Sequence, residues 1–263
     1  MVGKVYVVTS GKGGVGKTTT VANLGTGLAK LGNKVALIDA DIGLRNLDVM
    51  LGLENRIVYD IVDVVENNCR LEQALIKDKR YSSLSLLPAA QTRDKTAVNP
   101  EQMEELCELL KKEFDYVLVD SPAGIEQGFK NAIAGADDSI VITTPEVAAV
   151  RDADRIIGML EAEGLGEPNL IINRIRMDMV KRGDMMEIED MRDILAISIL
   201  GIVPEDERIV ISTNTGKPIV LLDNTKAGQA FWNISRRVEG EEVDYISLDS
   251  SLMDYLKRFI GLN

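Results

Sequence analysis

The sequence predicts an α/β fold, a doubly wound and mostly parallel sheet flanked by helices. Three observations predict it. Short β-branched runs alternate with longer helical patterns along most of the 263 residues. Most of those runs are apolar almost throughout, as strands buried on both faces must be. A Gly-rich turn joins the first run to the first helical pattern, where doubly wound sheets hold phosphate.

In chain order the expected strands are "KVYVVTS" (4–10), "KVALID" (34–39), "LSLLPA" (84–89), "YVLVD" (116–120), "SIVITT" (139–144), "PNLIIN" (168–173) and "SILGIVP" (198–204). Helical periodicity falls between them, at 18–32, 100–113 and 147–163. There is no internal repeat and no low-complexity tract. After Arg237 the chain turns acidic and reads as extended, "VEGEEVDYISLD", before ending in "SSLMDYLKRFIGLN". The expected division is a body over 1–238, an acidic linker over 239–249 and an amphipathic helix over 250–263.

Charge narrows the function. Asp and Glu number 42 against 30 Lys and Arg, a formal net of −12. Nucleic acid and anionic lipid repel such a chain unless basic groups cluster. No run of four basic residues exists. The densest patch, Arg174, Arg176, Lys181 and Arg182, reads as a solvated surface. No nucleic-acid partner is expected. The absence of histidine removes His acid/base chemistry, His triads and His-ligated metals. Cys69 and Cys107 stand apart with no paired motif, as in a reducing compartment. No signal peptide and no run of 18 apolar residues is present, so the expected location is the cytosol.

Gly11-Lys12-Gly13-Gly14-Val15-Gly16-Lys17-Thr18 fits G-x-x-x-x-G-K-[ST] between a strand and a helix, the context that motif needs. The glycines let backbone N–H groups turn inward around phosphates, and the helix points its positive end at them. Lys17 reaches the β/γ-phosphates and the Thr18 hydroxyl reaches Mg²⁺. Asp120 ends "YVLVD", placed either beside that Mg²⁺ or as a strand cap. "DADIGLRNLD" (39–48) adds two carboxylates at a strand end. Asp39 and Asp41 could flank the γ-phosphate, and Asp41 is the candidate to orient the attacking water. The loop carries one lysine more than the motif requires, Lys12. It serves either its own nucleotide or a partner's.

At these residues a family becomes visible. "KGGVGKTT" resembles the deviant phosphate-loop motif of the MinD/ParA ATPases, whose signature lysine corresponds to Lys12. The similarity is greatest to the MinD members, spatial regulators of bacterial division. "DIGLRNLDVMLG", "QALIKDKR", "LPAAQTRDK", "DSPAGIE", "TTPEVAAVRDADRI", "RGDMM" and "GIVPED" look like further blocks of that family, so the resemblance covers nearly the whole chain. It implies an ATP-dependent homodimer in which Lys12 crosses to the partner's nucleotide. It also implies binding of ATP or ADP by Gly11 through Thr19, Mg²⁺ at Thr18 and Asp120, and water positioning by Asp41. Adenine would lie near Asn173, Pro204 and Asp206, and an amide such as Asn173 suits the adenine edge. Glu146, Arg151, Asp152 and Asp154 would form a partner surface. The implied partners are a MinC-like division inhibitor and anionic membrane lipid, with a MinE-like activator left open.

In the tail, Leu252, Met253, Tyr255, Leu256, Phe259, Ile260 and Leu262 fill one arc of a helix. By pattern it is either a core helix or an interfacial membrane helix, and the resemblance favours the membrane. Lys257 and Arg258 are offset by Asp254 and the terminal carboxylate, so apolar burial must dominate binding. One short helix that must also fold binds marginally. Two on a dimer share a surface, and linkage raises avidity by about 10²–10⁴-fold. Nucleotide state would thus set location, between cytoplasm and the inner face of the cell membrane. Three alternatives keep the same fold: a flagellar-placement relative, a ParA-type DNA-partitioning ATPase, and a metallocluster carrier with cysteines at the dimer axis.

Overall fold

A computed structural model describes residues 2–94 and 96–248. The tail helix expected over 250–263 lies outside the described residues.

Among the described residues the strands are β1 (Lys4–Thr9), β2 (Val35–Asp39), β3 (Ile76–Lys77), β4 (Leu84–Leu87), β5 (Tyr116–Asp120), β6 (Asp138–Thr143), β7 (Asn169–Ile175) and β8 (Ile199–Pro204). The helices are α1 (Lys17–Lys30), α2 (Leu47–Leu51), α3 (Ile61–Val65), α4 (Leu71–Ala74), α5 (Pro100–Leu110), α6 (Gln127–Ile133), α7 (Val147–Ala162), α8 (Met177–Val180), α9 (Ile188–Leu195), α10 (Arg208–Asn214) and α11 (Lys226–Val238). They build one eight-stranded sheet in the order β3-β4-β2-β5-β1-β6-β7-β8. Seven strands are parallel, and the two-residue β3 pairs antiparallel to β4 at the edge.

Side chains alternate between two cores, as the period-2 geometry of a strand requires. Val5 and Val7 of β1 face one cluster, with Val117, Val119, Ile156 and Leu160. Tyr6 and Val8 face the other, with Leu24, Leu28, Leu118, Phe231 and Ile234. Helices α5 and α7 thus cover one face, and α1 and α11 the other. Because both faces are covered, the central strands carry no polar alternation.

β1 lies between β5 and β6, so the connections leave it in opposite directions. The crevice at its carboxyl end is the point where such sheets bind ligands. Register also brings Asp39 opposite Asp120, on neighbouring strands β2 and β5 at that same end.

The acidic segment after α11 forms neither helix nor strand, but it is fastened to the body. Arg237 Nε donates to the Val243 carbonyl at 3.0 Å, and Tyr245 Oη donates to the Ile199 carbonyl at 2.6 Å. The Arg237 guanidinium stacks on the Tyr245 ring, 4.3 Å from its centre. Ile246 and Leu248 rest against the two cores.

Candidate nucleotide-binding site

The phosphate loop is built by local rules. Val15 is buried and pins the loop, while Gly13 and Gly14 are exposed above it. Gly16, at φ 102°, caps α1 with no side-chain hydrogen bond, and no acidic residue sits in the first turn. The helix therefore presents bare N–H groups and its positive dipole end. Thr20 donates to the Gly16 carbonyl at 2.9 Å and Ser10 to the Lys12 carbonyl at 2.9 Å, which fixes both shoulders of the loop. Lys17 is buried at 8% exposure; Thr18 and Thr19 are half-buried beside it.

Asp120 is 1% exposed, and neither of its carboxylate oxygens has a hydrogen-bond partner of ordinary geometry. Burial pushes its carboxyl well above the usual range. The nearby Asp39 carboxylate adds to this, while the Thr18 hydroxyl and the Lys17 ammonium oppose it. Two buried carboxylates beside one hydroxyl make a site short of positive charge. That donor set fits Mg²⁺, which takes one or two protein oxygens and completes its shell with phosphate and water.

Asp39 is placed differently from Asp41. It is 1% exposed and spends its oxygens on the backbone that follows. Oδ1 accepts from the Asp41 N–H at 3.1 Å; Oδ2 accepts from the Asn46 and Leu47 N–H groups at 3.2 Å each. Burial still raises its carboxyl, with those N–H groups pulling it back down. Asp39 thus holds the loop, and Asp41, half-buried within it, is the carboxylate left nearer solvent. The Asp41 carbonyl accepts from Leu44 and Arg45 N–H, closing the turn into α2.

The extra lysine points along the surface. Lys12 Nζ lies 3.7 Å from Glu146 Oε2, at the start of α7, with both side chains about half exposed. Such a pair contributes about 0–1 kcal/mol and is easily exchanged for another anion. Glu146, which caps α7, is exposed, as are Arg151 and Asp154 on the helix, and Asp152 is half-buried. The four residues thus lie along α7 and its cap, which abut the loop.

The base-side residues divide. Asn173 is 3% exposed and donates to the Val15 carbonyl at 2.8 Å; its Oδ1 has no partner among the described residues. It braces the phosphate loop with one end of its amide and keeps one acceptor in reserve. Pro204 closes β8, and Asp206 follows in a bidentate pair with Arg208, at 2.8 and 2.7 Å. Burial alone would raise the Asp206 carboxyl, but the Arg208 guanidinium holds it below the usual range. Asp206 therefore orders the loop into α10.

The model of the CobQ/CobB/MinD/ParA nucleotide binding domain matches residues 6–219. The septum site-determining protein MinD of Bacillus subtilis is 56% identical over 265 residues, covering 99% of each chain. The chain belongs to the MinD branch of this family. Among solved structures, MinD in the Aquifex aeolicus MinC:MinD complex is 52% identical with a TM-score of 0.86, covering 93% of this chain and 98% of that one. The Pyrococcus horikoshii MinD complexed with Mg-ADP is 28% identical with a TM-score of 0.82, covering 90% of this chain and 96% of that one. The fold expected from the sequence is the fold observed.

The MinD assignment leaves two features that motif reasoning did not find. One is the Lys12–Glu146 contact, which joins residues 134 positions apart by chain number and has no local signature. The other is the network around Asp78 and Arg80, quoted above only as part of a resemblance block. The cluster-carrier alternative meets an obstacle. Cys107 is fully buried inside α5, where burial pushes its thiol up to about 12.

Proposed function

We propose that this MinD-family chain is an Mg²⁺-dependent ATPase switch that dimerises with ATP and carries a division inhibitor to the membrane. The observation that carries the reading is the buried Asp120 carboxylate, both oxygens without an ordinary hydrogen-bond partner, beside Thr18 and under a phosphate loop that bears Lys12.

On this reading the loop N–H groups and Lys17 hold the β- and γ-phosphates. Thr18 and Asp120 hold Mg²⁺, which when bound offsets the phosphate charge. Asp41 orients the attacking water from a loop fixed by Asp39. Lys12 leaves Glu146 and reaches the nucleotide of a second copy, as an arginine finger does. Asn173, Pro204 and Asp206 flank the base. The Aquifex relative is paired with MinC. We assign the corresponding surface of this chain to α7, at Glu146, Arg151, Asp152 and Asp154. The tail arc from Leu252 to Leu262 addresses lipid when two copies present it together, so the protein exchanges between the cytoplasm and the inner face of the cell membrane. The reading leaves a MinE-like activator open.

No described helix is long and apolar enough to cross a membrane. The patch at Arg176 and Arg182 is neutralised by Asp178, Asp184 and Glu205. DNA partitioning gains no support from it, and nothing favours flagellar placement. The deciding experiment is the ATPase rate with and without anionic liposomes. The reading expects hydrolysis that needs Mg²⁺ and sedimentation with liposomes under ATP but not ADP. A protein that hydrolyses no ATP, or sediments equally in both states, overturns it.

A further inference from the structure

The turn between β3 and β4 binds together two elements that flank the nucleotide site. Asp78 is 5% exposed, and its Oδ1 accepts from the backbone N–H groups of Arg80 at 2.7 Å and Tyr81 at 3.1 Å. The Arg80 guanidinium folds back onto the same carboxylate, with Nε 3.1 Å from Oδ1 and Nη2 2.6 Å from Oδ2. That bidentate pairing fixes the plane of the fork. Its remaining donors are thereby aimed. Nη2 donates to the Leu51 carbonyl at 2.9 Å and Nη1 to the Gly216 carbonyl at 2.8 Å. Lys79 adds a bond to the Gly52 carbonyl at 3.0 Å.

These acceptors terminate two different elements. Leu51 and Gly52 close α2, whose other end hangs from Asp39 and follows the loop carrying Asp41. Gly216 follows α10, which begins at the Asp206–Arg208 pair on the base side. The two ends meet backbone to backbone. A Cβ on Gly216 would lie 2.5 Å from Gly52 Cα, and both glycines have positive φ, 59° and 67°. No side chain cushions this contact, so α2 and α10 cannot shift independently there.

We propose that Arg80 is a positioning residue for ATP hydrolysis. It holds the Asp41 loop in fixed relation to the helix that follows the base-side loop, so turnover depends on which base occupies that side. Arg80 acts on the far end of α2 and through it on Asp41. The inference rests on the nucleotide site proposed above.

The test compares wild type with Arg80→Ala, Arg80→Lys and Gly216→Ala. Lysine keeps the charge but not the fork. The alanine at 216 forces the two ends apart while leaving Arg80 in place. Three quantities are read: kcat with ATP, kcat with inosine triphosphate, and the affinity for a fluorescent ATP analogue. Small misplacements of a reacting group cost up to about 10²-fold, so kcat with ATP should fall about 10-fold or more in all three variants. Affinity should hold, and the ratio of the two kcat values should fall toward one. Unchanged kcat in Arg80→Ala, an equal loss with both triphosphates, or a joint loss of kcat and affinity overturns the proposal. Wild-type protein that binds no ATP analogue overturns instead the nucleotide site on which it rests.

Discussion

Gly11 and Asp152 are in backbone contact: a Cβ on Gly11 would lie 2.5 Å from the Asp152 carbonyl carbon and 2.6 Å from its Cβ. The first residue of the phosphate loop therefore rests directly on α7, the helix assigned to the partner surface. Gly11→Ala must push the loop off that helix, a clash that costs about 1–3 kcal/mol. Both the melting temperature and the affinity for an ATP analogue should fall. Wild-type affinity in this variant would show that α7 does not support the loop.

On the proposed reading, Lys17→Ala removes a charged hydrogen bond to phosphate worth about 1.5–3 kcal/mol, so ATP binding should weaken by about 10–150-fold. Far-ultraviolet circular dichroism should be unchanged. A Lys17→Ala protein that hydrolyses ATP at the wild-type rate would move the site elsewhere.

On the proposed reading, Asp41 and Lys12 separate turnover from assembly. Asp41→Ala should still dimerise with Mg-ATP but hydrolyse about 10²-fold or more slowly, because only water orientation is lost. Lys12→Ala should bind ATP and stay monomeric. Light scattering distinguishes them, and a dimeric Lys12→Ala beside a monomeric Asp41→Ala would reverse the two roles.

Asp78 gives a pH dependence with a definite sign. Burial would raise its carboxyl, but the Arg80 guanidinium holds it below the ordinary value. A depressed carboxylate contributes stability that is present above its unfolded pKa, about 3.9, and lost as pH falls through the folded value. Arg80→Ala should therefore cost about 1–3 kcal/mol at neutral pH, because the buried carboxylate loses its counter-charge and keeps only the backbone N–H groups at positions 80 and 81. The gap in melting temperature between variant and wild type should narrow as pH drops below about 4. A gap independent of pH would show that the pair does not hold Asp78 ionised.

Deleting residues 250–263 should leave ATP binding and dimerisation intact and abolish co-sedimentation with liposomes. Phe259→Glu should nearly match the deletion, since it puts a charge in the middle of the apolar arc. Lys257→Ala should do less. A truncated protein that still sediments with ATP would mean that the body itself binds lipid.

Long apolar runs were the legible part of the sequence. "YVLVD" is β5 from first residue to last, and the helix patterns at 100–113 and 147–163 contain α5 and α7. Burial on both faces gives such runs a composition that turns cannot share. β3 was illegible because two residues carry no period, and it exists only through pairing with β4. Helices α2, α8 and α10 are too short to show periodicity, and α2 is set by Asp39 from eight residues away. Within the site, the loop glycines and Lys17 follow from a motif with a mechanism. Asp39 and Asp41 were both expected at the γ-phosphate, with Asp41 the candidate to orient water, but spacing alone does not show that the backbone consumes Asp39. Arg80 could be found only in three dimensions, because its acceptors at Leu51 and Gly216 lie far from it in the chain.

The fastening of Val243 through Leu248 sets the leash of whatever follows. With Tyr245 and Arg237 clamped to the body, three residues, 249–251, separate the described chain from Leu252, where the apolar arc begins, a reach of about 10 Å at full extension. A leash that short acts as a mounting bracket. On the proposed reading, an ATP dimer held by two such brackets meets the bilayer with one preferred face and little freedom to tumble. Its α7 surfaces are then presented at a constant height above the lipid, so a bound inhibitor gains a defined bearing as well as an address.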